Sequence, residues 1–205
     1  MHALIMAGGA GSRINLGEKP LVLVCGRPMI SYITDAFNAA GITPVVAASP
    51  KTPMTMNWCR AQGIDMVRAE GNGFIPDMIE AVKSLDEQNP LFISVSDLPC
   101  ITTEIIQSIF ESYTLSGKDA CSTWIPVQLV RSLRCSITYE DQICGVRACP
   151  AGVNILRGSL IDQLQDEQQM LMNEPGLAMN VNTRDDLATA EEFLKHKSRI
   201  KSTGI

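Results

Sequence analysis

The feature that most constrains this chain is an apolar segment at its start that breaks at once into small residues. Residues 1–6 are followed by Ala-Gly-Gly-Ala-Gly-Ser-Arg at 7–13, and Glu-Lys-Pro follows at 18–20. A short strand that ends in small residues allows backbone N–H groups to approach a phosphate chain. Basic side chains just beyond it supply the positive charge that a triphosphate requires. The segment predicts a strand followed by a phosphate-binding loop; the alternative is a tight turn that binds nothing.

Two commoner glycine loops do not fit this segment. A dinucleotide-binding turn requires G-x-G-x-x-G, but Ile14 stands at the position of the third glycine. A Walker loop requires Ser or Thr directly after its lysine to hold magnesium, whereas Lys19 is followed by Pro20. The sequence therefore favours a different class of nucleotide-binding loop.

Composition limits the class of protein. The chain has 205 residues, of which 45% are hydrophobic and 19% charged, and this is typical of one soluble globular domain. A net charge of -5 with scattered basic residues argues against a nucleic-acid surface. No apolar stretch has the length of a membrane span, and the N-terminus lacks the features of a secretory signal. We therefore expect a cytoplasmic protein with no nucleic-acid or membrane partner. The expected domain is 1–196, followed by a frayed polar tail at 197–205; the oligomeric state is left open, with a homodimer as one alternative.

The cysteines do not indicate a metal or disulfide framework. Seven are scattered along the chain without a C-x-x-C pair, and the two histidines, His2 and His196, lie near opposite ends. Zinc sites use clustered Cys and His ligands, so no zinc site is predicted. Most of the cysteines are predicted to be reduced thiols that fill the core.

The first half of the chain alternates strand and helix signals, which is typical of a parallel sheet with helices on its faces. Thr52 followed by Pro53 is a helix start, and Gly41 is a helix stop. Strands are predicted at 3–7, 43–48, 64–68, 91–96 and 120–125. Helices are predicted at 28–40, 53–62, 76–85 and 103–113.

The pattern changes after residue 126. Helical periodicity is lost, and β-like stretches at 136–139, 146–148 and 153–156 predict a small β-rich excursion rather than a second domain. Short helices are expected at 159–164 and 166–172, and a last strand at 177–181. Thr183 and Asp186 have capping-box spacing, so a final helix is expected from there to about residue 195. The predicted fold is single-domain α/β, with a mostly parallel central sheet and helices on both faces.

Asp97 directly follows the predicted strand at 91–96, an apolar run rich in branched residues that is typical of a central parallel strand. In open α/β sheets ligands gather outside the carboxyl ends of the strands, and the glycine loop lies at the same edge. A carboxylate there holds Mg²⁺ against nucleotide phosphates. The alternative is an Asp that caps the following turn. Beside the glycine loop, Asp97 is predicted to bind Mg²⁺.

Two segments are candidate contacts because they combine small residues with an amide. The glycines of Gly71-Asn72-Gly73 permit close backbone approach to a base or ribose, with a strand-to-helix turn as the alternative. Gly152 and Asn154 follow the excursion and suit contact with a ligand, with a hairpin turn as the alternative.

Asn180 and Asn182 are also candidates, because side chains two residues apart on an extended segment share a face. Their amide oxygens are predicted to join Asp97 around a metal or to hold the second substrate. Lys51, after the second strand, is a candidate nucleotide contact, with a solvated surface lysine as the alternative.

These motifs resemble those of the nucleotidyltransferase family with a Rossmann-like, nucleotide-diphospho-sugar-transferase fold, and within it the archaeal adenosylcobinamide-phosphate guanylyltransferases. The resemblance covers nearly the whole chain, in segments 3–13, 18–21, 48–53, 71–77, 150–155 and 180–187. The first, second and last segments also occur in molybdenum-cofactor guanylyltransferases. The other three segments better distinguish the adenosylcobinamide-phosphate guanylyltransferases from these relatives.

The resemblance implies that GMP passes from GTP to adenosylcobinamide phosphate, giving adenosylcobinamide-GDP and pyrophosphate in cobalamin (cobamide) synthesis or salvage. It implies catalytic roles for Arg13, Lys19 and Asp97, with Mg²⁺ on Asp97. The implied nucleotide-binding residues are Ala7, Gly8, Gly9, Gly11, Arg13, Lys19, Lys51, Gly71, Asn72 and Gly73. The implied acceptor-binding residues are Gly152, Asn154, Asn180 and Asn182. Sugar-nucleotide relatives often carry a second acidic metal ligand where this chain has the two asparagines, so the number of metal ions is left open.

Three alternatives remain from the sequence. A molybdenum-cofactor guanylyltransferase would share the glycine loop and the segment around Asn182. A sugar-1-phosphate nucleotidyltransferase would share the loop, although the chain is short for one. A nucleotide-binding regulator without catalysis would keep the pocket, but the presence of both Lys19 and Asp97 argues against it.

Overall fold

The computed structural model describes residues 1–9, 14 and 16–203. The strands are β1 (His2–Met6), β2 (Leu23–Val24), β3 (Arg27–Pro28), β4 (Thr43–Ala48), β5 (Asp65–Arg68), β6 (Pro90–Val95), β7 (Ala120–Pro126), β8 (Asp141–Ile143), β9 (Val146–Pro150), β10 (Val153–Arg157) and β11 (Glu167–Leu171). The helices are α1 (Met29–Ala39), α2 (Pro53–Gln62), α3 (Phe74–Ser84), α4 (Thr103–Ser116), α5 (Val127–Ser132), α6 (Pro175–Ala178) and α7 (Arg184–Thr203). Short 3₁₀ helices form at Lys19–Leu21 and Gly158–Leu160.

One large sheet organises the molecule. Its strand order is β5-β4-β1-β6-β10-β7-β9-β8, and β11 pairs with β7 outside this order. Strands β5, β4, β1 and β6 are parallel, as is the β11–β7 pair, whereas β10, β9 and β8 join through antiparallel pairs. This bears out the α/β prediction of a mostly parallel sheet with a β-rich excursion. Because β5, β4, β1 and β6 run parallel, the loops that follow these strands meet at one edge of the sheet.

Helices cover both faces of the sheet because successive strand residues point to opposite faces. In β1, Leu4 belongs to one hydrophobic cluster and Ile5 to the other, and both are fully buried. In β6, Ile93 belongs to the same cluster as Leu4, and Phe92 belongs to the same cluster as Ile5. Phe92 meets Phe37 of α1 edge to face, with ring centroids 5.3 Å apart. This two-sided burial explains why the strands read as continuous apolar runs.

Several predictions for the second half of the chain were wrong. The predicted helix at 166–172 is strand β11, since pairing with β7 overrides the helix propensity of its polar residues. The predicted strand at 177–181 is replaced by α6, which begins at Pro175, a residue that suits the first turn of a helix. Only the 3₁₀ turn forms within 159–164, and 136–139 is not a strand. The final helix runs on to Thr203, beyond its expected end.

The cysteines lie largely where the sequence predicts. Five are buried, and Cys25 and Cys144 are exposed in hairpin turns. Burial raises the pKa of the Cys59 thiol to about 11 and that of Cys100 to about 12, so these thiols stay protonated at neutral pH. Among the helices of the described ranges, none combines the length and apolar character needed to cross a membrane.

Candidate functional site

A cavity of about 590 Å³ lies at the carboxyl ends of the parallel strands. Ligands of open α/β sheets bind at this edge because loops from neighbouring strands converge there. The cavity is lined by Met6, Gly8, Gly9, Ile14, Lys19, Pro20, Lys51, Gly71, Gly73, Phe74, Asp77, Val95, Ser96, Asp97 and Asn182. Most of the predicted nucleotide-binding residues therefore share one concave site.

The loop after β1 forms one wall of the cavity. The buried Ala7 donates its backbone N–H to Ala47 O at 2.8 Å, which extends the β1–β4 pairing by one residue. Ser49 Oγ donates to Gly8 O at 2.7 Å, and a Cβ on Gly8 would lie 3.2 Å from the Ser49 Cβ. The absence of a side chain on Gly8 thus lets two strand-end loops approach closely. Gly11 and Arg13, also predicted to bind phosphate, lie outside the described residues.

Lys19 and Asp97 meet inside the cavity. Lys19 Nζ donates to Asp97 Oδ2, and it also donates to Asn182 Oδ1 at 2.9 Å. Both charged side chains are largely buried, with 16% and 14% of their surface exposed. The backbone N–H of Val181 donates to Asp97 O at 3.0 Å, which holds the C-terminal segment against the end of β6. Residues 19, 97 and 182 therefore form one group, although they are far apart in the chain.

The second oxygen of Asp97 is a candidate ligand position. Asp97 Oδ1 is buried, and no group in the described part of the chain forms a hydrogen bond with it. A buried carboxylate oxygen without a partner is energetically costly, so it fits a site where a cation or a donor of the ligand binds. Within the described ranges no group of three His, Cys, Asp or Glu side chains is placed to hold a metal. The carboxylate of Asp97 fits Mg²⁺, which proteins commonly bind through one or two carboxylates together with substrate phosphates.

The loop after β5 forms the opposite wall, and its polar groups are held by neighbouring side chains. Lys51 Nζ donates to Gly71 O at 2.6 Å. Asp77 Oδ1 accepts the backbone N–H groups of Gly71 and Asn72 at 3.0 and 2.8 Å. Gly71 and Gly73 have φ values of +83° and +126°, a region that glycine adopts readily. Lys51, Gly71 and Gly73 line the cavity, whereas Asn72 is not among its lining residues.

Some of the predicted acceptor residues line pockets, whereas others lie within or against the sheet. Asn182 lines the main cavity and also a smaller pocket of about 50 Å³, which Asn180 lines as well. Asn182 Nδ2 donates to Asn180 Oδ1 at 2.9 Å. Asn154 lies within the sheet, where its Oδ1 accepts the backbone N–H of Thr123 at 3.1 Å.

Gly152 lies against the end of β6 rather than among the lining residues. Its φ is +79°, and a Cβ at this position would lie 2.7 Å from Val95 Cγ2. Val95 itself lines the cavity. The direct role of Gly152 in this structure is thus to leave room for a cavity wall.

Asp186 anchors the segment that carries Asn182. Its Oδ2 accepts the backbone N–H groups of Asn182 and Thr183, at 3.0 and 2.8 Å, and the Thr183 hydroxyl at 2.9 Å. The return bond from Asp186 N to Thr183 Oγ1 completes the predicted capping box. Both carboxylate oxygens also bind Ser136, through its backbone N–H and its hydroxyl, at 2.8 Å. Asp186 thereby joins the start of α7 to the β-rich excursion, a contact that the sequence did not predict.

The contacts of Asp186 predict a pH dependence of stability. Burial acts to raise its pKa, but the hydrogen bonds from Ser136, Thr183 and Asn182 outweigh burial, and the pKa lies below its ordinary value of 3.8. Because the folded pKa is depressed, the stabilisation is complete above the unfolded pKa and is lost as pH falls through the folded value. We expect Asp186→Asn to lower the unfolding free energy by about 1–3 kcal/mol at pH 7, since it leaves buried donors unpaired. The difference in unfolding free energy between the wild type and Asp186→Asn should shrink below about pH 4.

Urea unfolding of both proteins between pH 7 and pH 3 measures this difference. Asp185→Asn is the matched control, because Asp185 is the exposed neighbour in α7. A deficit for Asp186→Asn that stays constant down to pH 3 would contradict the assignment.

Glu18 is a site-supporting residue that sequence reasoning missed. Its Oε1 accepts the backbone N–H of Met54 at 2.7 Å, and its Oε2 accepts the backbone N–H and hydroxyl of Thr55 at 2.6 and 2.7 Å. These N–H groups belong to the first turn of α2, for which Thr52 provides no side-chain cap. Glu18 therefore caps a helix that begins 35 residues later in the chain, and it fixes the backbone that carries Lys19.

Glu18→Gln is expected to affect both stability and activity. The amide replaces one acceptor oxygen with a donor that faces backbone N–H groups. We expect a loss of about 0.5–2 kcal/mol in unfolding free energy, as for a removed helix cap. We also expect kcat/KM to fall by roughly tenfold or more, because Lys19 is no longer held in place. Thermal denaturation and steady-state kinetics measure the two effects, with Glu111→Gln on the exposed side of α4 as control. Wild-type behaviour in both measurements would show that Glu18 has no supporting role.

Comparisons with known proteins show sequence similarity over most of the chain. A family model described as "MobA-like NTP transferase domain" matches residues 3–170. The chain is 32% identical over 206 residues to an adenosylcobinamide-phosphate guanylyltransferase from Methanocaldococcus jannaschii, and the alignment covers 95% of this chain and 98% of that protein. It is 34% identical over 113 residues to a mannose-1-phosphate guanyltransferase from Eremothecium gossypii, covering 49% of this chain and 31% of the relative.

Solved structures share the fold at low sequence identity. A hypothetical transferase from Thermus thermophilus superposes with a TM-score of 0.69 at 16% identity, covering 91% of this chain and 100% of the other. A CMP:2-keto-3-deoxy-manno-octonic acid synthetase complexed with CTP superposes with a TM-score of 0.71 at 14% identity, covering 96% and 98%. These similarities bear out the predicted Rossmann-like fold.

Proposed function

The chain belongs to the MobA-like NTP transferase family, and we propose that it transfers GMP from GTP to adenosylcobinamide phosphate, giving adenosylcobinamide-GDP and pyrophosphate. The observation that carries this proposal is the similarity to a guanylyltransferase with that acceptor over nearly the full length of both chains. The cavity supports it chemically, since a lysine, a carboxylate and the backbone of a glycine loop converge there. We place the reaction in the cytoplasm, in cobamide synthesis or salvage.

The proposed step is an in-line displacement at the α-phosphorus of GTP. A phosphate oxygen of the acceptor forms the new P–O bond, and the bond from the α-phosphorus to the bridging oxygen breaks, so that pyrophosphate leaves with that electron pair. A phosphate monoester is largely ionised at neutral pH, and therefore no strong general base is required. The obstacle is the repulsion between two anions. Lys19 and the loop N–H groups would offset it and stabilise the leaving pyrophosphate, and we propose the same role for Arg13.

Lys19 has to exchange partners for this step. It donates to Asp97 and Asn182 in the structure, and on GTP binding we propose that it turns to the phosphates. Asp97 and Asn182 are the residues that would hold Mg²⁺, and a bound ion would supply further positive charge beside the phosphates. The backbone of Gly8 and Gly9 provides the adjoining wall.

The base and the acceptor are assigned to different parts of the site. We propose that Lys51 and the 71–73 loop seat the guanosine, because this loop and the lysine that holds it line the cavity. We propose that the acceptor approaches from the side of Asn180 and Asn182, where the smaller pocket adjoins the cavity. Gly152 and Asn154 would shape that side through Val95 and Thr123 rather than by direct contact.

The acceptor assay tests the proposal. Purified protein is incubated with [α-³²P]GTP, magnesium and one acceptor at a time: adenosylcobinamide phosphate, molybdopterin or mannose 1-phosphate. We expect labelled product and stoichiometric pyrophosphate with the corrinoid. Molybdopterin is the second candidate, because segments 3–13, 18–21 and 180–187 also resemble molybdenum-cofactor guanylyltransferases. Labelled product with molybdopterin alone would overturn our choice. GTP binding with no pyrophosphate release from any acceptor would indicate a regulator instead.

A further inference from the structure

The cavity has two chemically distinct ends. Asp97 follows β6 and the 71–73 loop follows β5, and these strands are separated by β1 and β4 in the sheet. Three interstrand spacings of about 4.8 Å place the two strand ends about 14 Å apart. Lys19, which is proposed to bind the phosphates, and its partner Asp97 lie at the β6 end. The base of a bound nucleotide therefore falls at the β5 end.

Asp77 is a largely buried carboxylate at the β5 end of the cavity. It lies in the first turn of α3, lines the cavity and is only 6% exposed. Its Oδ1 accepts the two backbone N–H groups of Gly71 and Asn72. Among the described residues, Oδ2 accepts no hydrogen bond and no cation forms an ion pair with Asp77. Lys51, the nearby lysine of this wall, is engaged with Gly71 O instead.

The hydrogen-bonding capacity of Asp77 leaves room for a ligand with two donors. An ionised carboxylate has about four acceptor sites. Two are used by Gly71 and Asn72, so about two remain for a ligand in the cavity that Asp77 lines. Guanine presents two adjacent donors, N1–H and the 2-amino group. Adenine presents an acceptor at N1 and no donor at C2.

We propose that Asp77 selects guanine by accepting hydrogen bonds from N1–H and the 2-amino group. This inference rests on the proposed function, since it takes GTP to be the nucleotide. Phe74 supports it, because it also lines the cavity, lies one helical turn before Asp77 and is 46% exposed. Residues three apart on a helix share a face, so the ring is placed to stack on a purine whose edge meets the carboxylate.

Nucleotide selectivity of Asp77→Asn tests the assignment. The amide keeps an oxygen for Gly71 and Asn72 but turns an N–H donor toward the base. Xanthine carries a carbonyl at C2 where guanine has the amino group, so it replaces one of the two donor–donor conflicts between guanine and the variant amide with a hydrogen bond. We expect the wild type to prefer GTP over xanthosine triphosphate by about tenfold or more, and the variant to shift this ratio by about tenfold or more toward xanthosine triphosphate. Calorimetric titration without acceptor measures both affinities, with Asp65→Asn in the exposed start of β5 as control.

A purely structural role gives a different result. If Asp77 only braces the loop, both affinities fall in parallel and their ratio is unchanged, which would overturn the proposal. Asp77→Ser offers a second route should the amide variant fold poorly. It should bring the affinities for GTP and inosine triphosphate, which lacks the 2-amino group, close to each other; a wild-type preference for GTP retained in this variant would also overturn the proposal. Because no acceptor is present, failure of the acceptor assay does not affect this test.

Discussion

Replacing Lys19 with alanine is expected to lower kcat/KM for guanylyl transfer on the order of 10²-fold or more. The lysine is the cation that the structure places beside Asp97 and the glycine loop, largely buried in the cavity. Positive charge held in position before reaction stabilises charge on the leaving pyrophosphate, and loss of one such preorganised donor costs about 10²–10³-fold in rate. Steady-state kinetics with GTP and the acceptor measure the loss, and GTP affinity should fall as well.

The control for this variant is Lys118→Ala, which removes an exposed lysine paired with Asp166 outside the cavity. It should turn over as the wild type does. Unfolding measurements separate chemistry from folding, because Lys19→Ala leaves Asp97 without its partner and is expected to cost some stability. Normal turnover by Lys19→Ala would exclude the role assigned to this lysine.

Replacing Asp97 with alanine is expected to have opposite effects on turnover and on metal-free GTP binding. Turnover should fall by about 10²-fold or more, because Asp97 is the carboxylate that would hold Mg²⁺ beside the reacting phosphates. In the presence of EDTA, however, GTP should bind about two- to fivefold more tightly than to the wild type. Asp97 competes with the phosphates for Lys19, and an ion pair worth about 0.5–1 kcal/mol corresponds to that change in affinity.

Calorimetry with and without magnesium measures the second effect independently of catalysis. Asp162→Ala, which removes an exposed carboxylate paired with Lys83, is the matched control and should change neither quantity. Weaker GTP binding by Asp97→Ala in EDTA would contradict the competition for Lys19. Unchanged turnover would contradict the catalytic assignment.

The sequence is sufficient to predict the class of fold and the convergence of four residues that line the cavity. Glycines after the first strand and an Asp after the central strand belong at one sheet edge in any parallel α/β arrangement, and the structure brings Gly8, Gly9, Lys19 and Asp97 together there. Thr183 and Asp186 form the expected helix start, because a capping box depends only on local spacing. Features that depend on a few consecutive residues, or on the ends of neighbouring strands, can therefore be predicted from the sequence.

Contacts between segments that are distant in the chain cannot be predicted from one sequence. Glu18 caps α2 and Asp186 binds Ser136 across 50 residues, and neither pairing leaves a local pattern. Asp77 reads as an ordinary first-turn acidic residue of a helix, and only the folded loop shows that one of its oxygens holds Gly71 and Asn72. The predicted helix at 166–172 is wrong because pairing with β7, and not intrinsic propensity, determines the structure of β11.

A crystal structure with a non-transferable GTP analogue, such as one with a methylene group between the α- and β-phosphorus atoms, examines the assignment of this cavity most directly. We expect the triphosphate within hydrogen-bonding distance of Lys19 Nζ and the backbone of Gly8 and Gly9, with guanine against the 71–73 loop. A triphosphate bound elsewhere on the molecule, or a nucleotide lying in the reverse direction with its base beside Asp97, would contradict the account.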